Sequence, residues 1–184
     1  MGSISFLTDR RLENPPSIKE SIYRLKSSSF LFQNAWVQSP QDLECAERES
    51  VEAMLHLDHI VNEIMRFRDQ LQSDNNYTGS SLETHLNITS ALSVSPVTRL
   101  EQTSLSGLLP GNGVLPREGV SITMEKLLNK IKHRRTDSSN FRIESFGEHI
   151  FLIGVDKPNH QPDSIVEFDV NVFCKYCGDI SELI

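Results

Sequence analysis

Aromatic side chains are scarce in this sequence: they make up 7% of 184 residues, and there is a single tryptophan. Hydrophobic residues reach 38%, below the roughly 45–50% of an ordinary globular domain, an average that also counts glycine. With a mean hydropathy of -0.32, part of the chain is expected to pack against nothing of its own. No apolar run approaches the roughly 18 residues that a membrane span needs, and the N-terminus carries no apolar stretch of signal-peptide type. An intracellular protein, cytoplasmic or nuclear, is therefore expected, with no membrane contact. Gly2 follows Met1, but Phe6 stands where the myristoylation pattern requires Ser or Thr. Cysteines number three, an odd count that argues against a disulfide framework and fits a reducing compartment.

Basic charge is also in short supply. The formal net charge is -7, which disfavours nucleic acid as a partner, since that requires a basic face. Residues 39–76 carry nine acids against three bases, and residues 142–184 eight against three. Between them one basic patch, Lys130, Lys132, Arg134 and Arg135, closes a predicted helix. There it complements the negative end of the helix dipole and offers a docking point for an acidic partner. Catalytic signatures are missing too: no Gly-rich phosphate loop, no Gly-x-Ser-x-Gly elbow and no His-Glu-x-x-His. The chain is expected not to be an enzyme and to have no small-molecule substrate.

What is present is mainly architecture. Ser17, after Pro15-Pro16, is placed to cap a short helix with Ile18, Ile22 and Leu25 on one side. The aromatic stretch from Phe30 to Val37 is expected as a satellite of the core, and residues 1–38 form an N-terminal segment. Ser39-Pro40-Gln41-Asp42 then has the chemistry of a helix start, an oxygen to accept a backbone amide and a proline at the first turn. Over 39–73 nothing breaks a helix, and Met54, Leu57, Val61, Ile64 and Leu71 recur at spacings that build one apolar stripe. Such a helix extends on the order of 50 Å, so its stripe is expected to need a protein partner or a second copy for cover.

Residues 74–117, rich in Ser, Thr, Asn and Gly, are expected to form a flexible, disordered linker. Residues 118–184 are expected to form a small unit. A helix capped by Ser121 or Thr123 buries Met124, Leu127, Leu128 and Ile131, and Asp137 to Asn140 break it. Strands follow over 141–146 and 149–155, and an alternating run over 165–174 makes a third. The fold class is thus α+β: a long amphipathic, coiled-coil-like helix, a disordered linker, and one helix on a three-stranded antiparallel meander.

Two short motifs add alternatives. Asp42-Leu43-Glu44-Cys45-Ala46-Glu47 contains Leu-x-Cys-x-Glu, and these six residues resemble the linear motif by which proteins dock on retinoblastoma-type pocket proteins. The resemblance implies docking through Leu43, Cys45 and Glu47, which align only on an extended backbone. Cys174-Lys175-Tyr176-Cys177-Gly178 resembles one knuckle of a zinc ribbon. Zinc takes four ligands, and His149 and His160 are the candidates to join Cys174 and Cys177. Apart from that zinc ion no cofactor is expected. The leading expectation is a non-enzymatic interaction or assembly subunit that holds partner chains through its 39–73 helix and its C-terminal unit.

Overall fold

Ser17 accepts a hydrogen bond from the Glu20 amide at 3.2 Å and so starts the first helix, as its position after the two prolines predicts. The computed structural model describes residues 17–184; Gly2, Phe6 and Pro15-Pro16 lie outside the described residues. Helix α1 covers Ile18–Val37 and takes in the aromatic stretch, because no glycine or proline interrupts it. The Asp42 carboxylate, rather than Ser39, caps helix α2, Leu43–Ser73, accepting from the Cys45 amide at 3.0 Å. The short connection folds α2 back along α1. Small buried residues of α1, Ser21, Ser28, Ser29 and Ala35, let the two helices approach closely. Ser21 Oγ lies 2.9 Å from His59 Nδ1 and 3.3 Å from His56 Nδ1, which ties the hairpin by hydrogen bonds as well.

The segment expected to be a disordered linker is folded. Helix α3 (Ser81–Leu86), strand β1 (Thr89–Val94) and helix α4 (Arg99–Gly107) all fall within it. Its caps explain why: Ser80 accepts from the Glu83 amide, and Thr98 and Glu101 form a reciprocal capping box. Some of its apolar residues are also placed inward: Leu82, Leu86, Val94 and Leu105 are buried, while Leu100, Leu109 and Val114 stay exposed.

Strand β2 (Val120–Thr123) leads into helix α5 (Met124–Lys132), capped by Thr123, with Met124, Leu127, Leu128 and Ile131 buried as predicted. Strand β3 (Arg134–Ile143) runs through Asp137 to Asn140, which were expected to be a break. Gly147, at φ +81°, turns the chain into β4 (His149–Lys157). A 3-10 turn over Pro158–His160 precedes β5 (Gln161–Asp169) and helix α6 (Val170–Ser181). The described residues thus build six α-helices and one five-stranded antiparallel sheet, in the order β2-β1-β5-β4-β3. The three-stranded meander is only part of this sheet. Strand β1 pairs with the free side of β5, Leu92 opposite Glu167 and Val94 opposite Ile165, and adds β2 beyond it.

The third expected strand ends early. Asp169 accepts from the Val172 amide at 2.7 Å and caps α6, so residues 170–174 are helical. One face of the sheet carries the main core, to which α1, α2, α5 and α6 contribute Leu25, Ile64, Leu128 and Phe173. The other face carries a smaller cluster in which Leu105 of α4 packs with Leu152 and Ile165. Gln102 of α4 pins it there, donating to the carbonyls of Val155 and Ser164.

Candidate functional site

The stripe expected to face a partner is covered by the chain itself. Leu57, Val61 and Ile64 are buried in the main core, with Met54 and Leu71 partly buried against it. Folding α2 onto α1, the sheet and α5 supplies the cover that a free helix of this length would lack, so α2 does not stand as a coiled-coil arm. The reason for seeking a partner at these five positions is thereby removed.

The two short motifs lie on helices. Leu43, Cys45 and Glu47 occupy the first turns of α2, where Leu43 and Glu47 are exposed and Cys45 is half-buried. The extended backbone that pocket-protein docking requires is absent there. Cys174 and Cys177 sit on α6 with their thiols in the core. His149 is buried at the start of β4, and His160 is exposed on the turn before β5. Among the described residues no three His, Cys, Asp or Glu side chains gather in a form that could hold a metal ion. Burial pushes the Cys174 thiol up to about 12 and Cys177 well above its usual value. In the native protein only Cys45 is therefore expected to react with Ellman's reagent, and all three thiols after denaturation in guanidinium. Native-state reaction of either α6 thiol at the rate of Cys45 would contradict this packing.

The basic patch comes together but is neutralised. Arg134 makes a bidentate pair with Asp58 at 2.6 and 2.9 Å. Arg135 donates to Asp156 at 2.9 Å and to Asp137 at 2.5 Å, and Lys130 pairs with Asp163. Arg99 also binds Asp156. Burial works against ionisation of Asp156, but the hydrogen bonds from Arg99 and Arg135 outweigh it and hold its carboxyl below the usual range. Of the four basic residues only Lys132 is exposed without an ion pair among the described residues.

Two other features are open to ligands. The first is the outward face of α1. Tyr23, Phe30 and Val37 are 65%, 64% and 64% exposed, and their seven-residue spacing places them on one line of the helix. Ser27 and Asn34 lie between them on the same side, and Lys26 borders it. A groove separates this line from the β3–β4 hairpin, where Ile143 and Gly147 form the facing wall. At the hairpin tip Phe146 is 95% exposed. The spacing was legible in the sequence, but its direction depends on which side of α1 meets α2.

The second feature lies behind α1, where the helical hairpin crosses the sheet. A cavity of about 70 Å³ opens among Phe32, Phe141, Phe151, Phe168, Met54 and His149. Ser29 Oγ lies 2.8 Å from His149 Nδ1 in its wall, and Gln33 Nε2 donates to the same hydroxyl at 3.4 Å. The His149 ring stacks on Phe32, 5.2 Å between centroids and 4° from parallel. Burial pushes the His149 pKa down to about 4, so the ring is neutral near pH 7. Residues 29 and 149 are far apart in sequence, and no local pattern predicts their meeting. Comparison with family models, with curated proteins and with solved structures finds no match to this chain.

Proposed function

We propose that this chain is a non-enzymatic interaction subunit that holds a partner protein along the outward face of α1. The observation that carries this reading is the line of Tyr23, Phe30 and Val37, left in water by a helix whose opposite face buries Leu25, Phe32 and Ala35. A helix that exposes large apolar groups at regular spacing has the form of half an interface. The partner it fits is an amphipathic helix laid along α1. Its apolar residues would enter above Ser27 and Asn34, and an acid would meet Lys26, which has no ion pair among the described residues. Ile143 and Gly147 form the far side of the groove.

The test places a photo-crosslinking amino acid at position 30 in the full chain, and at exposed Leu100 on α4 as the control. Adducts to one defined protein from position 30 alone are expected. Purified partner should then bind the Phe30→Asp variant about 100-fold more weakly, the loss typical of a central apolar anchor, while the melting temperature stays unchanged. Equal crosslinking from both positions, or undiminished binding by Phe30→Asp, overturns the reading.

A further inference from the structure

The two outer edges of the sheet differ in how they are guarded. Strand β3 lies along one of them. Its outward side is occupied: the Gly113 amide donates to the Phe141 carbonyl at 2.9 Å, and Ser106 Oγ donates to the Asp137 carbonyl at 2.7 Å. The strand also carries charge, with Arg134, Arg135, Asp137 and Arg142 along its length. Covered and charged edges of this kind resist the addition of another strand.

Strand β2, at the other edge, has neither guard. Val120-Ser121-Ile122-Thr123 contains no charge and no proline, and three of its side chains are β-branched, the type that favours strands. One side of β2 pairs with β1, and among the described residues no backbone hydrogen bond reaches the other side. Val120 is 74% exposed and Ser121 is exposed beside it. Such an edge is a template for a further strand.

The charges at its two ends select which strand. Arg117 and Glu118 precede β2, and Glu125 and Lys126 follow it. Arg117 is paired with Glu101, and Glu125 with Arg68. Glu118 and Lys126 are exposed and join no ion pair among the described residues. One free charge therefore stands at each end, and the two are opposite in sign. An antiparallel second copy reverses the order, so that Glu118 of each copy comes to the Lys126 end of the other. A parallel copy would set like charge beside like. The edge is complementary to itself about a two-fold axis, the commonest symmetry of protein dimers.

We propose that two copies of this chain pair antiparallel through their β2 edges, forming one sheet continuous across the dimer. The aromatic contact of Phe32 with Phe141 places α1 beside β3, at the far end of the sheet order from β2. Both outward α1 faces thus stay open in the dimer. Strands of four residues make a small interface, so the association is reversible rather than permanent.

Sedimentation velocity of the full chain, from about 1 to about 300 µM, reads this directly, since a small interface gives dissociation in the micromolar range. The expected result is a reversible rise from monomer to dimer with concentration. Glu118→Lys and Lys126→Glu each turn two symmetric contacts repulsive, and each should weaken the dimer about 10-fold. Combining the two reversals should restore it. Val120→Lys, which places the natural edge guard on an exposed position, should abolish it with the melting temperature unchanged. Phe30→Asp, on the α1 face, should leave the dimer intact. A monomer at every concentration, single reversals without effect, a double reversal that does not recover, or dissociation by Phe30→Asp each overturns the proposal.

Discussion

Val61→Asp is expected to unfold this protein. Val61 is 2% exposed and belongs to the main core, a cluster of apolar side chains that includes Leu57, Ile64 and Leu128. An unpaired carboxylate in such a place costs several kcal/mol even after its pKa rises to neutralise it. A domain of ordinary stability, about 5–15 kcal/mol, loses most or all of its margin. Urea titration followed by far-ultraviolet circular dichroism measures this. The expected result is a midpoint shifted far toward zero denaturant, or no folded baseline. Phe30→Asp on the outward side of α1 should move stability by no more than about 0.5 kcal/mol. The contrast separates the two faces of the hairpin. A Val61→Asp variant with a native midpoint would mean that α2 is not covered by its own chain, and the need for a partner at its stripe would return.

Acid should weaken the fold well before the carboxylates titrate. His149 has its pKa lowered by burial from 6.5 to about 4. Between those values the unfolded chain holds a proton that the folded chain does not. Stability from this group is therefore complete above pH 6.5 and is lost progressively as the pH falls toward 4. The full loss is about 3 kcal/mol. Urea midpoints measured across that range should fall steadily in the wild type. In His149→Phe they should stay nearly flat until the pH enters the carboxylate range. An equal slope in both proteins would show that His149 is not the group responsible.

Much of the local structure was legible because single residues govern it. Ser17 and Thr123 cap the helices they were expected to cap, and the four apolar positions of α5 are buried together. The misreading of 170–174 has a definite cause. Val170, Val172 and Cys174 fit a period of two, while Val170, Phe173, Cys174, Cys177 and Ile180 fit the helical period equally well. The Asp169 cap decides between them. That choice also moves both thiols from a strand end into a helix, and with them the basis of the zinc knuckle. The supposed linker was misjudged through its composition. Two of its polar residues, Ser80 and Thr98, are helix caps, and Leu82, Leu86, Val94 and Leu105 reach buried positions.

The candidate sites were less legible, for a different reason. An apolar stripe on α2 announces that something covers it but not whether that cover is another molecule. The answer lay in the small residues of α1, which make room for α2 on one side and turn Tyr23, Phe30 and Val37 to the other. The basic patch likewise looked free because its counterions, Asp58, Asp156 and Asp163, come from three other parts of the chain.

Strand order carries a consequence for biogenesis. The middle position of the sheet belongs to β5, the last of the five described strands in chain order. Until residues 161–169 leave the ribosome, the β1–β2 pair and the β3–β4 hairpin have no shared edge to join them. The nascent chain must hold two unclosed half-sheets while it waits, with strand edges exposed to whatever is nearby. Closure by a late central strand ties distant segments together in one step, the arrangement that slows folding and makes it cooperative.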